Sequence, residues 1–336
     1  MWDFSISRTL GIMGRTMPFI LTRLAVYFGI TLAYMLAVGA GTGVGYGMGT
    51  ISGDPASFAM WGGIVGFGIV SAVIYWIREY ILYMVKAGHI AVMVELIDGR
   101  QIENGKGQVA YAREVVQNRF GEANALFALD QLIKGVIAVV TGLIGGVARF
   151  LPIPGLDALA GFLNGVIRMS LTYVDEVVLG YNIRTRSDNP WESSRQGLVL
   201  YAQNAKIMIK NAVWLTLIMW ALSFVIFLVM LAPAGLLVWL VPSAGSGWTF
   251  VAAIVFAWAL KAAILEPFAI AALMDVYFRA IEGQVPDPAW DRKLADASGK
   301  FRELIGKASS YIPTASRAEA ATPPAATPGN GEARNA

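Results

Sequence analysis

Charged side chains interrupt two long apolar stretches of the sequence, where they could bind a charged solute or an ion. Arg168 lies within residues 158–174, and Lys261 and Glu266 lie in the stretch that starts at Trp248. A charge in the hydrocarbon core costs about 2.5–3.5 kcal/mol on insertion scales, so it normally faces a cavity or a partner. These residues can therefore line a transport path, or they can pair with one another and lock helices together. The sequence leaves both interpretations open.

Two carboxylates fall at matching positions in these stretches. Glu176 is 18 residues beyond Ala158, and Glu266 is 18 residues beyond Trp248. Each residue advances a helix by about 1.5 Å, so two helices running in the same direction would place both carboxylates at one depth. Asp175, next to Glu176 in the sequence, adds a further acid close to that level.

A proline directly follows Glu266. Pro267 has no backbone N–H and leaves the carbonyl of Ala263 without its helical donor, which predicts a kink. A kinked membrane helix that carries Lys and Glu is typical of a substrate or ion pathway. A deep tryptophan beside a carboxylate can also bind a quaternary ammonium through cation–π attraction. The predicted pathway residues are Arg168, Asp175, Glu176, Trp258, Lys261, Glu266 and Asp275.

The composition places these residues in a membrane protein. The 336 residues are 56% hydrophobic and only 15% charged, whereas soluble domains are about a quarter charged. No cysteine is present, which excludes disulfides, thiolate metal sites and cysteine catalysis. His89 is the only histidine, which argues against a multi-histidine metal centre or a Ser-His-Asp triad. We expect His89 to be a packed side chain rather than a proton shuttle.

Six apolar stretches are candidates for membrane-spanning helices, since a span needs about 20 mostly apolar residues. The first two are residues 18–40 and 55–77. The uncharged run 211–260 is too long for one crossing, and PSAGSG at 242–247 divides it into a hairpin. Residues 133–178 form either two full crossings, turning at Pro152–Pro154, or a shallow re-entrant pair; the sequence favours two crossings.

The distribution of basic residues predicts the orientation of these helices. All but three of the 26 Lys and Arg residues fall on one side of a six-span topology with both termini on that side. Basic loops stay in the cytoplasm. We therefore expect an all-α, polytopic helical bundle in the bacterial inner (plasma) membrane, with both termini cytoplasmic. No cleaved signal is expected, because the first apolar run is far longer than the apolar region of a signal peptide.

Further segments are expected on the cytoplasmic side of a membrane domain that covers residues 1–312. A helical hairpin is predicted at about 78–130, with its reversal near residues 98–107. An amphipathic helix is predicted at 288–309, with Asp287 as its N-cap and Pro288 in its first turn. Residues 313–336 are rich in Ala, Pro, Thr and Gly and carry little apolar bulk, so they are expected to be disordered.

The stretch GAGTGVGYGMG at 39–49 has a glycine at every second position. It contains the letters of a potassium filter, but no pore helix precedes them, and its spacing does not fit a dinucleotide-binding loop. In a helix, these glycines form two rows that allow close packing in lipid, with the last few in an outer loop. One row is Gly41, Gly45 and Gly49. The predicted packing residues are Gly39, Gly43 and Gly47 in the first span, Gly62 and Gly66 in the second, and Gly142 and Gly146 in the third.

Two segments of the C-terminal half resemble the choline-transporter-like family. Ser193, Arg195, Leu200 and Asn204 match a Ser-x-Arg stretch that leads into a membrane helix of that family. The segment FAIAALMDVYFRAIE, residues 268–282, is similar to the family's last span, with matches at Asp275 and Phe278 and with Glu282 one position early. The family has more spans than the six predicted here. The resemblance implies a solute carrier for choline or a related amine.

The leading hypothesis is a membrane transporter of a small, cationic solute such as choline or another amine. The alternative is a non-transporting membrane scaffold or accessory subunit that recruits partners through its cytoplasmic helices. No HExxH or GxSxG motif and no nucleotide-binding loop occurs, so an enzyme is not expected, and no cofactor is expected. The expected partners are the lipid bilayer and a small-molecule solute, without nucleic acid. The glycine rows leave a homo-oligomer open.

Overall fold

The computed structural model describes residues 1–102, 107–120, 128–137, 139, 171–239 and 247–311, and these residues form an all-helical protein. The helices of the N-terminal part are α1 (Ile6–Arg15), α2 (Met17–Ser52), α3 (Pro55–Ile97), α4 (Gln108–Phe120) and α5 (128–137). The C-terminal part contains α6 (Val174–Thr185), α7 (Pro190–Gln203), α8 (Ala205–Trp239), α9 (Gly247–Leu260), a π-helical turn (Lys261–Leu265), α10 (Glu266–Ala280), α11 (Pro288–Ala297) and α12 (Gly299–Ser310).

Four helical segments are long and apolar enough to cross a membrane, so the chain has the helices of an integral membrane protein. They are Met17–Ser52, Pro55–Tyr75, Ala205–Leu236 and Ala252–Ala280. They correspond to the first two and the last two of the six spans expected from the sequence. The two remaining expected spans, 135–148 and 158–174, lie mostly outside the described residues. Six spans therefore remain a prediction, as does the side of the membrane on which the termini lie.

The connection between α2 and α3 is shorter than the sequence suggested. The helix α2 continues through all the glycines of the 39–49 stretch and ends at Ser52, so the expectation that an outer loop takes the last few glycines is wrong. Gly53, with φ of 82°, ends the helix. The side chain of Asp54 then accepts a hydrogen bond of 3.3 Å from the backbone N–H of Ser57 and caps α3. Two residues thus suffice for the reversal.

Glycine packing holds α2 against α3, but only one of the two rows takes part. A Cβ atom added to Gly41 would collide with the backbone carbonyl of Gly62, and one added to Gly66 would collide with that of Ala37. Gly45 is equally close to the backbone of Phe58. The predicted row Gly39, Gly43 and Gly47 lies on the other side of α2, where an added Cβ would meet no described atom within 4 Å, so these glycines do not pack against α3, and a packing role for them stays a prediction. Gly142 and Gly146 lie outside the described residues.

The exposure of apolar side chains divides the molecule into two regions. Large apolar side chains of α2, the first half of α3, α8 and α9 are exposed, as expected for surfaces that contact lipid. The other region buries its apolar side chains like a soluble domain, with Ile90, Met93, Leu200, Tyr277 and Phe301 almost fully buried. We call this second region, formed by α1, residues 84–97, α4 to α7, α10, α11 and α12, the packed domain.

The C-terminal amphipathic segment forms two helices rather than the one predicted at 288–309. Asp287 caps α11, accepting a hydrogen bond of 2.7 Å from the backbone N–H of Ala289. The helix then breaks at Ser298, whose backbone is extended and whose hydroxyl accepts a hydrogen bond of 3.2 Å from the N–H of Phe301. Leu294 and Phe301 are both buried against the packed domain. The break turns the second helix so that both apolar faces reach the same core. The tail at 313–336, expected to be disordered, lies outside the described residues.

Candidate functional site

A cavity of about 320 Å³ lies where the apolar helices meet the packed domain. Its walls come from α2, α3, α5, the start of α6, α8, and the helix that runs from α9 through the π-helical turn into α10. Among the described residues, five charged side chains line it: Lys86, Lys134, Glu176, Lys261 and Glu266. In the part of the chain that the structure describes, no group of three or more His, Asp or Glu side chains could hold a metal ion.

The π-helical turn brings Lys261 and Glu266 to the same wall of the cavity. In an α-helix, five residues rotate the side chain by about 500°, which would place these two residues on nearly opposite faces. Here the backbone N–H of Glu266 donates to the carbonyl of Lys261, the i to i+5 bond of a π-helix, so the two residues lie one turn apart. Pro267 follows directly and cannot donate a backbone bond. The kink expected at Pro267 is thus realised as a wider turn.

Aromatic rings surround the charged groups. Trp258 lies three residues before Lys261 on the same helix and lines the cavity with Trp220, Tyr27 and Tyr173. The rings of Trp258 and Tyr27 meet edge to face, with centroids 5.4 Å apart. Rings next to a carboxylate offer negative π faces to a cation. The wall formed by Glu266 and these rings can therefore hold an ammonium group.

Glu176 is bound to a lysine that the sequence analysis did not single out. Lys86 of α3 donates a hydrogen bond of 2.5 Å to Oε1 of Glu176, which is almost fully buried. Burial raises the pKa of Glu176, but the charge of Lys86 outweighs it and lowers this pKa to about 2. Burial likewise lowers the pKa of Lys86, and the charge of Glu176 outweighs that and raises it. The pair is therefore fully ionised at neutral pH.

Asp175 lies beside the cavity rather than in its lining. Its carboxylate is buried and 3.7 Å from Nζ of Lys134, which also lies 2.6 Å from Asp130. Burial first, and then the charge of Glu176, raise the pKa of Asp175 well above its usual value. Two neighbouring carboxylates cannot both ionise cheaply in a buried site. Asp175 therefore binds a proton more readily than Glu176 does.

Arg23 of α2 and His89 of α3 lie close to one another, and both side chains are buried. Among the described residues, Nη1 of Arg23 and both ring nitrogens of His89 have no hydrogen-bond partner. Phe19 stacks on His89 with ring centroids 5.1 Å apart. Burial, and then the charge of Arg23, lower the pKa of His89 well below its usual value. Arg23 interacts electrostatically with both Glu176 and Glu266, so it adds positive charge behind the cavity wall.

Asp275 does not take part in the cavity, contrary to the expectation from the sequence. Its carboxylate lies 3.3 Å from Nη1 of Arg8 and 2.8 Å from Nη2 of Arg279, within the packed domain. It is thus engaged in joining α1 to α10. Arg168, another predicted pathway residue, lies outside the described residues. The structure brings together Glu176, Trp258, Lys261 and Glu266 in the lining.

Sequence reasoning missed the basic half of the site. Lys86 and Lys134 line the cavity, and Arg23 lies behind it, but all three fall near the ends of apolar stretches, where lysine and arginine are common. One signal could have found Lys86. The apolar pattern around it continues for a further eleven residues, to Ile97, which indicates that this lysine is enclosed by protein.

Comparisons with protein-family models, with curated proteins and with solved structures found no match to this chain. Its function therefore has to be inferred from the geometry of the cavity and from the chemistry of the residues that line it.

Proposed function

We propose that this chain is a membrane transporter for a small solute that carries an ammonium group. The observation that supports this best is Glu266, which lines the same cavity as Trp258 and Tyr27 and has no ion-pair partner among the described residues. A carboxylate that faces a cavity without a partner lowers the stability of the protein unless a ligand of opposite charge binds to it. Choline and other amines carry the complementary charge.

The position of the cavity also favours transport. It lies on the π-helical turn of a segment long and apolar enough to cross a membrane, between two other such segments, Met17–Ser52 and Ala205–Leu236, and the packed domain. A helix interrupted near a ligand site is the usual construction in secondary transporters, where the interruption lets one half of the helix move relative to the other. We further propose six spans with both termini in the cytoplasm of a bacterial cell.

The test is uptake of labelled choline and a panel of amines by proteoliposomes that contain the purified protein. The Glu266→Gln variant should abolish uptake while its melting temperature stays close to that of the wild type, since no described ion pair is lost. Glu282→Gln is the matched control, because Glu282 is exposed and remote from the lining, and it should transport normally. Normal uptake by Glu266→Gln would contradict the proposal.

A second candidate function, a scaffold that recruits partners, is favoured by the construction of the packed domain. Arg195 of α7 holds Asp291 of α11 through two hydrogen bonds of 2.9 Å, and it also binds Glu192. Arg195 and Asp275, two of the residues that carry the resemblance to choline-transporter-like proteins, thus join helices of this domain instead of lining the cavity. A scaffold would show no uptake with any solute, and substitutions in the cavity would lower only its stability.

A further inference from the structure

We infer that the solute is a zwitterion, whose ammonium group binds Glu266 and whose carboxylate binds Lys261. This inference rests on the proposed function and makes the class of solute narrower than an amine. Two observations support it. Among the described residues, Lys261 and Glu266 are the charged lining residues that have no internal ion pair, and the π-helical turn places them on the same wall of the cavity.

Three of the five charged lining residues already have partners. Lys86 is bound to Glu176 at 2.5 Å, and Lys134 is bound to Asp130 at 2.6 Å. The two others, Lys261 and Glu266, form no ion pair or hydrogen bond through their side chains with any described residue. One unpaired charge of each sign thus faces the same space.

Lys261 and Glu266 lie one π-helical turn apart but form no ion pair with each other. The space beside them remains open as the cavity, and Trp258 continues the wall next to Lys261. A ligand that bridges the two groups would need its own charges a few ångström apart. Small amino acids and betaines have that separation between ammonium and carboxylate.

The positive charge near the cavity argues against a plain cation. Once the two internal ion pairs are set aside, Lys261 and Glu266 are the charges left in the described part of the lining. The guanidinium of Arg23, which is 3% exposed and has an unpartnered Nη1 among the described residues, adds a second positive charge close to Glu266. A cation would therefore meet net repulsion, whereas a zwitterion brings no net charge. A volume of about 320 Å³ is at the lower end of the range for ligand pockets, which suits a solute of this size.

Glycine betaine and choline provide a matched pair of probes. Both carry a trimethylammonium group, but glycine betaine has a carboxylate where choline has a hydroxymethyl group. In titration calorimetry with the purified protein, we expect glycine betaine to bind the wild type at least about tenfold more tightly than choline, as loss of one charged contact in an enclosed site predicts. Lys261→Met should remove this preference, and Lys261→Arg should keep it. Glu266→Gln should weaken both probes.

The controls separate binding from folding. Lys206→Met changes an exposed lysine at the start of α8, and it should retain the wild-type preference. Each variant is compared with the wild type by its size-exclusion profile and melting temperature, and Lys261→Gln, which also removes the charge, replaces Lys261→Met if that variant fails to fold.

The outcomes distinguish this inference from the proposed function. If wild-type protein binds choline as tightly as glycine betaine, or if Lys261→Met keeps the preference, the zwitterion inference is overturned and an amine carrier remains. If glycine betaine binds with the expected preference but proteoliposomes take up neither probe, transport is contradicted and the ligand class is supported. If neither probe binds nor enters proteoliposomes, both statements are overturned.

Discussion

Lys86 donates a hydrogen bond of 2.5 Å to Glu176, and this one contact joins the long helix α3 to α6 at the wall of the cavity. The side chain of Glu176 is only 5% exposed, so its carboxylate depends on Lys86 for most of its stabilisation. A buried ion that loses its partner destabilises a protein more than the intact pair stabilises it. The pair is thus a structural requirement of the cavity.

Substitution of Lys86 alone should therefore lower the free energy of unfolding more than substitution of both partners. We expect Lys86→Met to lower the free energy of unfolding by about 3–5 kcal/mol, because the charge of Glu176 is left buried and unpaired. The double variant Lys86→Met, Glu176→Gln should recover most of this loss. Denaturation in detergent, followed by circular dichroism, measures both. As a control, Glu303→Gln removes an exposed ion pair with Lys300 and should change stability little. A double variant less stable than Lys86→Met would contradict this account.

We expect the protein to lose stability on mild acidification because of His89. Its pKa in the folded protein lies well below the ordinary value of 6.5, because of burial and the charge of Arg23. The unfolded chain therefore binds a proton first, so the stability contribution is complete above pH 6.5 and is lost as the pH falls from there toward the folded-state pKa. The slope can reach about 1.4 kcal/mol per pH unit.

The measurement is the melting temperature of wild type and His89→Phe between about pH 7.5 and pH 5, the range in which histidine titrates. As His89 is the only histidine in the sequence, the difference between the two profiles isolates its contribution. The raised pKa of Asp175 gives the opposite slope, since a proton held by the folded state stabilises it at low pH and this is lost as the pH rises. Asp175 is present in both proteins and cancels. Parallel profiles would show that His89 titrates normally in the folded protein.

The two glycine rows of α2 predict opposite responses to the same substitution. Gly41→Ala should destabilise the α2–α3 hairpin by about 1–3 kcal/mol, because the new methyl group collides with the backbone of Gly62 and neither helix can move without losing other contacts. Gly43→Ala, two residues away, meets no described atom and should be neutral or slightly stabilising. Melting temperatures in detergent measure the difference. Equal effects of the two substitutions would show that the helices pack through another face.

Asp275 provides a test of structure against transport. We expect Asp275→Asn to lower the free energy of unfolding by roughly 1–3 kcal/mol, because the contacts of a buried carboxylate with Arg8 and Arg279 lose their charge. Uptake per folded molecule in proteoliposomes should remain at the wild-type level, since Asp275 does not line the cavity. A variant that folds normally but fails to transport would contradict this account and would show that Asp275 takes part in transport.

The sequence alone predicted the apolar helices and part of the candidate site. Long uncharged runs identify spans directly, and the positions of Glu266 and Trp258 on the last span follow from counting along a helix. Lys261 could not be placed on the same wall as Glu266 by that counting, because the π-helical turn changes the rotation between them. Its cause, Pro267, is visible in the sequence, but a proline permits several responses.

Other features depend on tertiary contacts that a periodic pattern does not contain. The two glycine rows of α2 have identical spacing, and only the position of α3 decides that Gly41 packs while Gly43 does not. The acid at Asp275 resembles the acid at Glu266 in an apolar context, yet Arg8, far away in the sequence, binds Asp275 and not Glu266. Pairing across 267 residues cannot be read from local composition.

The length of α3 has a mechanical consequence. At about 1.5 Å per residue, its 43 residues form a continuous rod of about 65 Å, whereas the hydrocarbon slab of a bilayer is about 30 Å thick. Roughly half of the rod therefore projects beyond the lipid, and Lys86 is on that half. Tilting the rod by about 5° around the middle of its span would move Lys86, about 30 Å away, by roughly 3 Å, so a change in helix inclination would alter the shape of the cavity.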